Sequence, residues 1–164
     1  MATLTTNGRA VLAQALKSIP FYIGLGEGKA EWDTAEKTTS TESRDLTALI
    51  TPVFYRKITD LRFVKDDAAG DIQMDNGTYS FSDTPTNLLY VSTRLDFADC
   101  PNATIREVGI FANLTPVDSV PEGQYSFTPS EVKDAGTLFF IDHQTTPIYR
   151  NAARRESFEI VIAL

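Results

Sequence analysis

Histidine and cysteine carry much of the metal-binding and nucleophilic chemistry of proteins, and this sequence has one of each, His143 and Cys100. A catalytic imidazole needs a positioned nucleophile or carboxylate, and a zinc site needs further ligands. The adjacent Asp142 does not supply the partner, because successive strand residues point to opposite faces. His143 is therefore read as a surface or turn residue, and no catalytic residue, metal or cofactor is expected. Gly24-Leu25-Gly26-Glu27-Gly28 has the glycine density of a phosphate loop. A phosphate loop opens directly into a helix whose backbone N–H groups meet the anion. Here a polar segment follows and Glu27 would repel phosphate, so the glycines read as a sharp turn after a strand. Asp66, Asp67, Asp71 and Asp75 lack the spacing and terminal Glu of a calcium loop, and they read as a solvated hairpin tip. Neither a Gly-x-Ser-x-Gly elbow nor a convincing carboxylate pair is present. An enzyme would have no visible residues to carry its chemistry.

The elements that must position these residues are mostly strands. Asn7 is placed to cap a helix in which Leu12, Ala15, Leu16 and Ile19 share a face, and Pro20 ends it. A strand over Phe21 to Leu25 follows. Gly26 to Thr47, with the run Thr38 to Ser43, reads as a long exposed loop with Trp32 pinned to the body. Phe54 to Val64 reads as one strand, and Asp75-Asn76-Gly77 as the turn after it. Leu89, Val91, Thr93, Leu95 and Phe97 alternate with polar or amphipathic residues as one face of a strand. After the break at Cys100-Pro101-Asn102, Thr104 to Ala112 is the next strand. Gly109 weakens that strand unless a bulge or a close backbone approach needs it. Arg106 and Glu107 fall on opposite faces, so at least one faces solvent or pairs across strands. Asn113 to Asp134 reads as a second long loop. Gly136 to Ile141 and Ser157 to Leu164 close the chain, the last with Phe158, Ile160, Ile162 and Leu164 on one face.

Bulk properties exclude several classes. The 164 residues fit one domain, 1–164, able to bury roughly 70% of its unfolded surface. The net charge of −7 and the lack of a basic stripe argue against nucleic acid. No apolar run approaches the roughly 20 residues of a spanning helix, and no signal peptide is visible at the start. A single cysteine forms no internal disulfide, which fits folding in a reducing cytoplasm. The sequons at Asn76, Asn102 and Asn113 are read as chance matches.

The order of features carries a resemblance. Asn7-Gly8-Arg9-Ala10-Val11-Leu12-Ala13-Gln14-Ala15-Leu16 resembles the opening helix of the tail-collar or fibre-adaptor family of contractile-tailed phages. Phe21 to Gly28 is similar to that family's strand and "GDG"-like turn, with Glu27 where Asp is common. Ile105-Arg106-Glu107-Val108-Gly109-Ile110-Phe111 resembles its "IRELGLFD" strand, and Gly136 to Ile141 and Phe158 to Ile162 resemble its last two. The similarity spans nearly the whole chain in order. A long fibre shaft usually follows in the family, and this chain stops after the last strand, which the resemblance reads as a stand-alone adaptor.

Together these readings give an α+β expectation: an N-terminal helix packed on a mainly antiparallel sheet or sandwich with long polar loops. The resemblance implies a non-enzymatic virion protein of the tail or baseplate, assembled in the host cytoplasm. It would connect baseplate wedge to tail fibre in several copies, as a possible homo-oligomer, without nucleic-acid or membrane partners. Alternatives are another wedge, neck or tail-completion component, or a receptor- or carbohydrate-binding module. Candidate partner-interface residues are Trp32, Tyr125 and Phe127 in the loops, and Phe158, Ile160 and Ile162 in the closing strand, which is apolar on both faces.

Overall fold

The structure, a computed structural model, describes residues 2–34 and 43–164. In chain order the described residues form α1 (Thr6–Leu16), β1 (Phe21–Gly26), a 3₁₀ turn (Ala30–Asp33), β2 (Pro52–Lys57) and β3 (Asp60–Asp66). Then come β4 (Ile72–Met74), β5 (Gly77–Phe81), β6 (Leu88–Leu95), β7 (Thr104–Ala112), β8 (Thr115–Pro116) and β9 (Ser126–Phe127). A 3₁₀ turn (Pro129–Glu131), β10 (Val132–Asp134), β11 (Thr137–Tyr149) and β12 (Glu156–Ala163) complete the chain.

These elements fall into two compact units interleaved along the sequence. One comprises Met1–Ile19, Ile58–Arg94 and Ser157–Leu164, and the other Pro20–Lys57 and Leu95–Glu156. The first holds a five-stranded sheet in the order β12-β6-β3-β5-β4, with β3 antiparallel to both β5 and β6. Val64, Ile72, Tyr79, Leu88 and Tyr90 form its core cluster, with Val161 of β12 packed against it. The second holds a five-stranded sheet in the order β11-β7-β1-β2-β9, plus the β8–β10 pair. Its core gathers Tyr22, Leu49, Tyr55, Phe111, Leu114 and Phe127.

The α+β expectation is corrected: the fold is β-rich, one α-helix against mostly antiparallel sheets. The second long loop contributed to the misreading. Asn113 to Asp134 contains three short strands and a 3₁₀ turn, fixed where the Glu131 carboxylate accepts the Thr128 N–H at 2.7 Å. Phe54 to Val64 is two strands, β2 and β3, which pair in different sheets. A run rich in β-branched and aromatic residues does not reveal a change of sheet at Ile58. Thr5, not Asn7, caps α1, its hydroxyl accepting the Gly8 N–H at 3.1 Å. Phe97 lies beyond the end of β6 and is exposed, beneath the Arg155 guanidinium. Asp75-Asn76 does form a tight turn, joining β4 to β5 through the pair Met74↔Gly77. Of the run Thr38 to Ser43, residues 38 to 42 lie outside the described residues.

Candidate functional site

The quoted motifs converge on one side of the second unit's sheet. Register places Tyr22, Gly24 and Gly26 of β1 opposite Phe111, Gly109 and Glu107 of β7. β11 continues the rows, with Leu138 opposite Phe111, Ile141 opposite Gly109 and His143 opposite Glu107. The glycines make room for what rises beside them. A Cβ on Gly24 would lie 2.6 Å from the Phe111 ring, and one on Gly109 would lie 3.0 Å from the same ring. A Cβ on Gly26 would lie 2.5 Å from Oε2 of Glu107. Gly28, at φ +54°, would drive a Cβ into Trp32.

Glu107 is fully buried. A buried carboxylate must be hydrogen-bonded, or it would protonate or unfold its surroundings. Its Oε2 accepts the Ile50 N–H at 3.0 Å and the Thr51 N–H at 3.4 Å. Oε1 lies 3.7 Å from Nε2 of His143. The His143 ring stacks on Trp32 at 4.4 Å between centroids. His143 is thus a buried strand residue, which corrects the surface or turn reading: β11 runs on to Tyr149 instead of ending near Ile141. Tyr55 packs in the adjacent core, and its hydroxyl pKa is pushed up by burial first and by the Glu107 charge second.

Arg106 grips the other end of the same loop. Its guanidinium makes two parallel 2.8 Å bonds to the Asp33 carboxylate and a third, at 3.0 Å, to the Glu27 carbonyl. Fork-to-fork pairing of this kind is among the stronger charge-assisted geometries. The hydrogen bond from Arg106 holds the Asp33 carboxyl below its usual pKa. Glu27 in turn accepts the Thr104 N–H at 3.2 Å. The pair Arg106-Glu107 therefore clasps the segment after β1 at both stems: Glu27 and Asp33 at its start, Ile50 and Thr51 at its end.

A second polar hub, around Arg150, had no signal in the sequence. Arg150 is buried, and its guanidinium donates to the carbonyls of Asp96 at 2.9 Å, Asp99 at 3.1 Å and Arg154 at 2.8 Å. Arg56 closes the same turn through a 2.6 Å ion pair with Asp99. Cys100 sits inside this turn at φ +37°. Burial pushes its thiol pKa up, against the opposing influence of Arg150. No group of three or more candidate metal ligands occurs among the described residues.

Of the expected interface residues, Phe127 belongs to the core and is 3% exposed. Trp32 is half-buried against His143. Tyr125 is 52% exposed and borders a groove of about 280 Å³ with Lys57, Pro116 and Pro121. Phe158 and Ile160 are half-buried and Ile162 is buried, on a strand at the edge of the first unit's sheet.

A family model described as "Baseplate wedge 3 tail fiber network component" matches residues 1–164, the whole chain. The chain belongs to that family. It is therefore a structural protein of the phage baseplate and tail-fibre apparatus, and its place is the virion tail. The resemblance to phage tail proteins holds at this level, and the match is to the wedge and fibre-network family rather than to the tail-collar family. No curated protein matches the chain. As a baseplate wedge and tail-fibre network component, it has for its partners other baseplate and tail-fibre proteins. No helix among the described residues is long and apolar enough to cross a membrane.

Proposed function

We propose that this network component is a non-enzymatic connector joining the baseplate wedge to a tail fibre or another peripheral tail part. The observation that carries the reading is the Arg106-Glu107 clasp. The most deeply placed acid among the described residues, Glu107, accepts backbone donors, and its strand neighbour Arg106 binds a carboxylate and a carbonyl. These groups stiffen a scaffold, which is what a load-transmitting joint requires. In such a joint the protein stands in several copies, matching the symmetry of the tail.

Deletion of the gene, followed by electron microscopy of purified particles, tests the proposal. A connector predicts tails with complete baseplates and no fibres. Particles that lack baseplates altogether would instead make the chain an integral wedge component. Normally fibred particles would refute both roles.

A further inference from the structure

The two five-stranded sheets of the described residues end in β4, β9, β11 and β12. A sheet edge presents unpaired N–H and C=O groups, and proteins blunt it with short strands, proline, lysine or bulges. Three of these four ends are blunted in that way. β4 has three residues and β9 two. β11 carries Pro147, and its register shifts between Leu138 and Phe140 and again between His143 and Ile148. β12 runs for eight residues without a proline, glycine, lysine or arginine.

One hydrogen bond sets which of its backbone groups face that edge. The Leu164 N–H donates at 3.0 Å to the carbonyl of Asn87, the residue before β6. Backbone groups alternate sides along a strand, so Glu156, Phe158, Ile160 and Ile162 aim theirs at β6. Those of Ser157, Glu159, Val161 and Ala163 aim outward. Side chains alternate between faces as well, which lines up Phe158, Ile160 and Ile162 as an apolar row on one face of the sheet.

This edge is complementary to itself. Two β12 strands pair antiparallel about a twofold axis normal to the sheet, which keeps every side chain on its own face, so one residue must stand opposite itself. Centred on Glu159, the pairing sets carboxylate against carboxylate, which is destabilising. Centred on Val161, it shortens the overlap of the two strands. Centred on Ile160, it sets Phe158 opposite Ile162 and Ile160 opposite Ile160 on the apolar row. Glu159 then meets Val161, and Ser157 meets Ala163. These last are the residues whose backbone groups aim outward, so the register forms about eight ladder hydrogen bonds. With the other three ends blunted, the matching edge for β12 is the β12 of a second copy. Association through it closes at two copies and does not grow into a filament.

We propose that β12 is a homotypic pairing edge, through which two copies of the chain join antiparallel about a twofold at Ile160 and merge two five-stranded sheets into one. The proposal concerns the purified protein and stands apart from the connector reading. Sedimentation velocity of the full chain over a micromolar concentration series should show a monomer–dimer equilibrium. Glu159→Gln neutralises two carboxylates that lie diagonally across the junction, and it should tighten association several-fold. Glu159→Pro removes an outward N–H and leaves the β6 ladder intact. It should keep the circular dichroism of wild type while association weakens at least about tenfold, from two lost ladder bonds. Ile160→Cys should form a 160–160 disulfide on mild oxidation, distinguished from Cys100 by peptide mapping, since opposed residues hold their Cβ atoms about 4.5 Å apart. Ser157→Cys and Ala163→Cys should each fail to link to itself, and should link to one another when mixed. A chain that stays monomeric throughout the series would overturn the proposal, including one whose β12 pairs only with a different tail protein. So would an open-ended series of oligomers, or a dimer that Ile160→Cys does not lock.

Discussion

Gly26 and Glu107 give the most demanding test of the clasp, because each is explained by the other. Gly26 has no positive φ, so Gly26→Ala changes space and not backbone strain. The new methyl would lie 2.5 Å from Oε2 of Glu107 and 3.1 Å from the Thr51 carbonyl. The carboxylate must then swing away from the Ile50 and Thr51 N–H groups, an overpacking cost of about 1–3 kcal/mol. Glu107→Ala removes a charged acceptor and orphans those two donors, costing about 3 kcal/mol. In the double variant the methyl no longer meets the oxygen, so the two losses should fall short of their sum by about 1 kcal/mol or more. Urea unfolding followed by far-ultraviolet circular dichroism and by Trp32 fluorescence measures all four corners. Trp32 is the sole tryptophan and packs within the cluster, so it reports this site directly. Strict additivity, within about 0.5 kcal/mol, would mean that Gly26 does not exist to seat the carboxylate.

Three other expectations follow from single contacts. Phe127→Ala should cost about 3–5 kcal/mol as a core cavity, whereas Tyr125→Ala, at an exposed site, should stay within about 0.5 kcal/mol, both read by chemical denaturation. Because the folded Asp33 carboxyl titrates below its ordinary value of 3.8, the stability it contributes is fully present above that value and is lost as pH falls through the folded one. Wild type should therefore lose stability relative to Asp33→Asn on acidification in that window, measured by thermal melts at stepped pH. The raised thiol pKa of Cys100, together with its partial burial, predicts slower labelling by a thiol reagent at pH 7.5 in the native protein than in urea.

Much of the strand framework was legible. Thr104 to Ala112 could be bounded residue for residue, because apolar content and the Pro101-Asn102 break mark its start plainly. The fate of Glu107 was not legible. Nothing local tells a buried Glu from an exposed one in an alternating strand, since its donors, Ile50 and Thr51, lie 57 and 56 residues away. The available signal was glycine at two alternate positions of β1, Gly24 and Gly26, where side chains should point to one face. Missing side chains there mean that something else fills the space. Phe127 misled for the opposite reason: three prolines and a glycine between Asn113 and Asp134 suggested a solvated loop, yet β9 pairs with β2 at Tyr55↔Phe127 and draws the ring inward. Arg150 was invisible because its ligands are carbonyl groups, which every residue has. The helix was read from the spacing of Leu12, Ala15, Leu16 and Ile19, and the residue it buries is Ala13, outside that set, since periodicity gives a stripe and not what faces it.

The interleaving of the two units also bears on how the protein is made. A ribosome finishes all of β3, β4, β5 and β6 long before it reaches Ser157, and everything made in between belongs to the other unit. Until then β6 is a sheet margin whose Leu88, Leu89, Tyr90 and Val91 have no strand beside them on that flank. Such a margin is sticky toward other chains. The residues of β12 therefore act as a seal applied only after the other unit has been made. A chain shortened by them would leave the ribosome with an open sheet, prone to join its neighbours and unable to take its place in a tail. Only copies that carry β12 would then reach the assembly line, a proofreading step built into the order of the strands.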